Sequence, residues 1–352
     1  MRLSDAVMAT FARHETFHPR YGWFRKAYAT AATRQHGFSE ADAPVNMGVG
    51  KNMVRAIKFW GQAAKIITKD PQSENQRAPE MVPTRFGHAL FCDDGWDPYM
   101  EDPGTIWLLH WMLLAPRSHL PVWWIAFNEL HFVEFDDKAL EIAVRGQLES
   151  SASVPAPHES SMRKDISALL RTYAPATRSG RSSLDDVLDC PLRELGLIGA
   201  SAASGNYRFA LGAKPTLPDE IVLFATLDFL SRRPPTGNTV TLSQLANESG
   251  APGRAFKLTE SDMQRILEAP LSTLEGVSLM SSTVGQQLSW TRDVSEAAVD
   301  VLHRYYGAGM DDAWAGENGD LPVDREDLPI EREGPIADLL AARERQPVRS
   351  AA

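Results

Sequence analysis

The segment from Lys51 to Ile67 constrains the fold more than any other part of this chain. Met53, Ile57, Trp60, Ala64 and Ile67 recur at +4, +7, +11 and +14, which puts them on one stripe of an α-helix. Lys51, Arg55, Lys58, Gln62 and Lys65 repeat the same spacing on the opposite side. A helix predicted over 51–67 thus has one face for a core and one cationic face that carries no acid. Such a face suits nucleic-acid phosphates, each neutralised phosphate adding a salt-dependent increment of binding. The plainer reading is a solvated surface.

The flanking sequence suggests a helix-turn-helix with a wing. Phe24 to Gln35 reads as a helix. Ser39 and Asp42 approximate a capping box, and Pro44 is expected to end that short helix. Gly48-Val49-Gly50 forms a turn ahead of the cationic helix. Pro71 to Pro83 is polar loop, and Val82 to Phe91 alternates around Gly87 like a wing strand. Residues 1–100 are therefore predicted to be a basic, winged helix-turn-helix-like unit.

The length of 352 residues allows two or three cores. A helical region is expected over 101–215, with helices at Thr105–Ala115, Val122–Leu130, Lys138–Glu149 and Arg163–Tyr173 and a Ser/Pro/Ala-rich loop at Ser150–Ser161. The apolar stretch from Thr105 to Val133 is broken by His110, Arg117, His119, Asn128 and Glu129. Its pieces fall short of the ~20 apolar residues of a membrane span and read as two buried helices, with Trp107, Trp111, Trp123 and Trp124 in the core. A second winged-helix-like unit is expected over 216–306: helices at Pro218–Ser231, Leu242–Ser249, Glu260–Leu267 (capped by Thr259) and Ser295–Tyr306, with a hairpin of Val277–Met280 and Gln286–Trp290. Residues 307–352 read as an acidic, flexible tail with a short helix at Ile336–Glu344. The fold class expected is mainly α.

Overall net charge is −10, but residues 1–70 hold eleven Lys and Arg against five Asp and Glu, a balance of +6. Residues 307–352 hold five against eleven, a balance of −6. A basic head and an acidic tail can mark a nucleic-acid protein, although tails are often acidic for solubility alone. Cys92 and Cys190 share no metal-ligand spacing and argue against a disulfide framework. The N-terminus lacks a signal-peptide core. A cytoplasmic protein without a membrane partner is expected.

His14-Glu15-Thr16-Phe17-His18 matches the H-E-x-x-H pattern of zinc hydrolases. Pro19 directly follows His18 and disfavours the helix that this motif needs, so a zinc metallohydrolase is kept only as an alternative. Gly48-Val49-Gly50-Lys51-Asn52 echoes a phosphate loop but lacks its first glycine and its Ser or Thr. A glycine turn opening a helix is simpler, and its free N–H groups with Lys51 can hold one phosphate. The acids Asp93, Asp94 and Asp97 to Asp102 read as polar loop ahead of the Thr105 helix, with metal binding as the sharper option.

Phe11 to Arg20 (FARHETFHPR), Trp23, Gly48 to Trp60 (GVGKNMVRAIKFW) and Gly95 to Trp111 (GWDPYMEDPGTIWLLHW) resemble the SspB-like family of the single-strand DNA phosphorothioation (Ssp) anti-phage systems. The similarity extends to about residue 306. It implies a protein that nicks DNA so that sulfur can replace a non-bridging phosphate oxygen. It also implies an SspA-like cysteine desulfurase, an SspC-like ATPase and an SspD-like ATP pyrophosphatase as partners, with a homodimer as a further option. The recurring motif positions fall on His14, Glu15, Arg20, Gly50, Lys51 and Asn52.

Nicking needs an activated nucleophile, stabilised phosphorane charge and a proton for the leaving oxygen. His14 or His18 is a candidate general base or acid. Arg20 and Lys51 suit the phosphate charge. Glu15 can orient a histidine or hold Mg²⁺ or Mn²⁺, and Tyr21 is a candidate covalent nucleophile. DNA contact is expected from Gly50, Lys51, Asn52, Arg55, Lys58 and Lys65. Against this stands a structural reading, in which His14 to Arg20 braces the fold. A non-catalytic DNA-binding or assembly subunit would carry the same motifs.

Overall fold

The computed structural model describes residues 1–307, apart from 35, 71–72, 74, 76–78, 152–153, 176–189, 202–204, 234–236 and 284. The described chain is mainly helical, with three small antiparallel sheets. The acidic tail and the helix expected at 336–344 lie outside the described residues.

The first third holds α1 (Leu3–Ala6), α2 (Trp23–Thr33), α3 (Ala43–Met47) and α4 (Lys51–Ala63). α4 begins where periodicity puts it but stops short of Ile67. Ala64 is its C-cap, and Lys65 takes φ +60°, turning the chain into β1 (Ile67–Lys69). α2 packs along α4, so the buried face widens to include Val54, Ala56 and Phe59. α3 differs from expectation. Asp42, not Ser39, occupies its N-cap position, and Pro44 lies in its first turn, where the missing N–H costs no helical hydrogen bond.

The wing strand expected over 82–91 is a correction. Only Met81–Pro83 is strand (β2), paired antiparallel with β1 so that Thr68 faces Val82. Arg85–Phe91 is a helix, α5, with every residue buried. Thr84 caps it, accepting from the Gly87 N–H at 2.9 Å and donating to the Lys65 carbonyl at 2.6 Å. Gly87 lets α5 lie against the backbone of residue 66: a Cβ there would fall 2.1 Å from the Ile66 oxygen.

The middle of the chain forms α6 (Pro103–Leu114), α7 (Pro121–Trp124, running into a π-helical turn at Ile125–Glu129), α8 (Asp137–Ser151) and α9 (Glu159–Tyr173). Of the loop expected at 150–161, Ser150 and Ser151 belong to α8 and Glu159 to Ser161 to α9. Strands β3 (Glu134–Phe135), β4 (Ile198–Ala200) and β5 (Tyr207–Phe209) form a sheet in the order β3-β5-β4. Trp107, Trp111, Trp123 and Trp124 are fully buried, as expected of core residues.

The last third runs α10 (Asp219–Ser231), β6 (Thr239–Thr241), α11 (Leu242–Asn247), α12 (Pro252–Phe256), α13 (Glu260–Leu271), β7 (Val277–Ser282), β8 (Gly285–Trp290) and α14 (Val294–Tyr306). Helices and hairpin fall close to their expected places, and Thr259 closes a capping box with Asp262. The sequence reading lacks α12 and β6, which pairs with β8 to give a three-stranded sheet.

One hydrophobic cluster runs from Ala6 to Leu302, so the three predicted units share a core. Polar ties cross it. Trp111 Nε1 donates to Asp228 at 2.8 Å, and Lys257 Nζ donates to the Phe127 carbonyl at 2.7 Å. Tyr305 donates to Asp102 at 2.7 Å, and Tyr306 stacks on Trp96 at 5.0 Å. Among the described residues no helix is long and apolar enough to cross a membrane.

Candidate functional site

Residues 11–20 form turns, not a helix. Ala12, Glu15 and Thr16 adopt φ of 53°, 50° and 68°, left-handed geometry that costs non-glycine residues and persists only where surroundings enforce it. His14 and His18 are therefore not one helical turn apart, the arrangement that the H-E-x-x-H pattern of zinc hydrolases needs. Among the described residues, no three His, Cys, Asp or Glu side chains converge as metal ligands.

The enforcing contact is a buried pair. His14, 1% exposed, places Nε2 2.7 Å from Oδ1 of Asp165 on α9, which is itself buried. The same oxygen accepts the Ala12 N–H at 2.9 Å. Among the described residues, the buried Nδ1 of His14 has no hydrogen-bond partner. Rings of Phe59, Trp60 and Trp123 surround the imidazole at 6.0–6.3 Å. His18 is buried as well.

Further contacts strap the segment down. Trp60 Nε1 donates to the Phe17 carbonyl at 3.0 Å, and Arg171 on α9 donates to the Thr16 carbonyl. The Arg20 guanidinium sits 5.8 Å from the Trp23 ring. Tyr21 donates to Glu194, in a 3₁₀ turn at Pro191–Leu195. Burial, then the hydrogen bond and charge of Glu194, push the Tyr21 phenol well above its ordinary pKa. That works against Tyr21 as a nucleophile, which needs the phenolate.

At the edge of the segment stands half-buried Glu15, whose Oε1 lies 3.6 Å from Arg55 on α4. Arg55, Lys51 and Asn52 are exposed, and Gly50 is the extended N-cap after the left-handed Gly48. The cationic face is narrower than expected and does have an acid beside it. Lys58 is partly covered by Phe38, its ring 6.0 Å away, and burial, then the Lys69 charge, lower its pKa. Lys65 is a clear correction. It lies beyond the helix, buried, with Nζ donating to the Met112 and Ala115 carbonyls at 2.6 and 3.0 Å, so it holds α6 rather than facing a ligand.

The acids at 97–102 serve the backbone. Asp97 accepts the N–H groups of Glu101 and Asp102, and Asp102 caps α6. The structure thus joins the histidine motif and the cationic helix through Glu15 and Arg55. It adds Asp165, Arg171 and Glu194, which the sequence reading lacks. Asp165 had a local signal: it falls at helical spacing with Met162, Ile166 and Leu169, an acid on an apolar stripe that requires a buried partner.

A family described as protein of unknown function (DUF4007) matches residues 11–306. Two solved structures are similar over nearly the whole chain. One, described as an SspB crystal structure, is 37% identical, with TM-score 0.83 over 93% of this chain and 95% of that one. The other, described as a magnesium ion-bound SspB crystal structure, is 35% identical, with TM-score 0.83 over 98% of each chain. The chain belongs to the SspB family. No curated protein matches it. The matched span of this SspB-family chain contains both the His14–Asp165 pair and the start of α4, and it ends at Tyr306, where α14 ends.

Proposed function

We propose that this SspB-family chain works in the Ssp phosphorothioation system as the component that grips DNA and nicks one strand, alongside the SspA-, SspC- and SspD-like partners. The observation that carries this reading is the pairing of half-buried Glu15 with exposed Arg55, beside exposed Lys51 and Asn52. Lys51 and Arg55 neutralise the phosphate, Arg with planar geometry that suits two oxygens. Glu15 stands where it can accept a proton from attacking water. His14, held by Asp165, is a positioning residue that fixes the turn presenting Glu15. A divalent cation keeps waters and phosphate oxygens and takes only one or two protein carboxylates in such sites. Glu15 is the motif's carboxylate and would hold Mg²⁺ or Mn²⁺, which would supply further charge neutralisation.

The test is relaxation of supercoiled plasmid by the purified chain, with Mg²⁺, Mn²⁺ or EDTA, beside Glu15→Gln, Arg55→Gln and Lys51→Ala. Open-circle product that folded Glu15→Gln fails to make is the expected result. A wild type that binds plasmid in a salt-sensitive way yet never nicks it, alone or with its partners, favours the second reading, a non-catalytic DNA-binding subunit. The burial of both His14 and His18 favours that second reading.

A further inference from the structure

We infer that the recess between α2 and the loop ahead of α6 is a stacking site for a single unpaired nucleobase. The inference rests on the DNA reading above and goes beyond it by naming what the strand inserts. The recess has a volume of about 470 Å³, within the ~300–1,000 Å³ of small-molecule sites. Arg25, Lys26 and Ala29 of α2 form one wall, and Pro98, Tyr99 and Met100 form the other.

An exposed tyrosine alone signals nothing. Tyr99 differs because it is rigidly held out. It is 67% exposed, on a loop whose backbone N–H groups at 101 and 102 are clamped by the buried Asp97 carboxylate at 2.9 and 3.0 Å. The next residue, Met100, is in left-handed geometry at φ 58° and is buried. The chain therefore accepts local strain to tuck Met100 inward while Tyr99 stands in solvent. The Arg25 guanidinium lies 4.3 Å from the Tyr99 ring centroid and donates to the exposed Asp93 at 3.1 Å.

An aromatic ring and a guanidinium plane are the two surfaces on which unstacked bases are held. The recess also borders the cationic surface already described. Lys26 donates to the Met47 carbonyl at 2.8 Å, at the end of α3 and just before the Gly48–Gly50 turn that opens α4. A strand whose phosphates follow Lys51 and Arg55 passes this mouth. Bases inside a duplex are stacked on one another and do not enter, so the site selects single-stranded or extruded nucleotides.

The test uses the full chain titrated into labelled single-stranded and duplex oligonucleotides, the single strand carrying 2-aminopurine. Wild type should quench 2-aminopurine, as Tyr99→Phe should. Tyr99→Ala should lose the quench and bind single strands roughly tenfold more weakly, with duplex affinity unchanged. Quenching and single-strand affinity that survive in Tyr99→Ala overturn the base site and leave the DNA reading standing. Equal weakening on duplex and single strand also overturns it, because the side chain then serves general contact. A wild type that binds no oligonucleotide at low salt removes both readings.

Discussion

His14 Nε2 meets Asp165 Oδ1 at 2.7 Å with both side chains buried, 151 residues apart in sequence. Removing one member of a buried polar pair leaves the other without a partner, which is costlier than never having had the pair. Asp165→Ala also strands the Ala12 N–H. The expected loss is about 3 kcal/mol of unfolding free energy, read as a lower urea midpoint. An unchanged midpoint would show that the turn at 14–16 holds itself.

Lys51 and Lys65 make a matched pair of opposite outcomes. Lys51→Ala should leave stability within about 0.5 kcal/mol and lower the slope of log affinity against log salt by about 1 if Lys51 contacts a phosphate. Lys65→Ala should do the reverse, because its ammonium satisfies two buried carbonyls of the α6 end. Stability and DNA-binding salt titrations on both variants separate surface cation from buried brace. A stable Lys65→Ala with a reduced salt slope contradicts this assignment.

Gly87→Ala tests the approach of α5 to the chain at Ile66. The added methyl has its nearest obstacle in backbone, which cannot rotate away as a side-chain tip can. A loss of about 3 kcal/mol or failure to fold is expected, at the upper end of overpacking effects. Thermal unfolding of the variant decides it.

His110 sets a pH dependence. Nε2 lies 3.0 Å from the Ala255 carbonyl and Nδ1 lies 2.7 Å from the Tyr173 hydroxyl, an arrangement that neutral imidazole satisfies with Nε2–H donating. Burial lowers its pKa to about 3, against the Ala255 hydrogen bond, with the Lys257 and Lys214 charges adding to the decrease. The unfolded chain, with an ordinary histidine near 6.5, binds the proton first as pH falls. Stability from this group is thus full above about pH 6.5 and is lost progressively as pH falls towards about 3. His110→Gln should flatten the dependence of the urea midpoint between pH 7 and pH 5. A slope unchanged from wild type would assign the acid sensitivity to other groups, His119 first, which burial lowers to about 4.

Strong local chemistry was legible in the sequence. The Thr259 N-cap and the α4 stripe through Trp60 place helices without tertiary help. Periodicity then fails where tertiary contacts take over. Ala64 and Ile67 continue the stripe, yet the chain turns at Lys65 because its ammonium reaches the α6 carbonyls. In α5 every residue is buried, Arg85 and His88 included, so no exposed polar face marks a 3.6-residue period and short alternation passes for a strand. The H-E-x-x-H match fails because a spacing motif carries no conformation. Pro19 foretold that failure, while the partner that shapes the turn, Asp165, lies on another helix.

The contact between α14 and α6 has a consequence for how the chain is made. Asp102 accepts from the Gly104 N–H and from Tyr305, 203 residues downstream, and a Cβ on Gly104 would lie 2.3 Å from that phenol oxygen. The ribosome must therefore release residue 305 before the start of α6 can acquire its final neighbours. Contacts of such separation form late and slowly, so the buried tryptophan helix waits for nearly the whole chain. A truncation ahead of α14 would expose that unfinished surface permanently, and a chain stalled there is the one most open to chaperones and proteases.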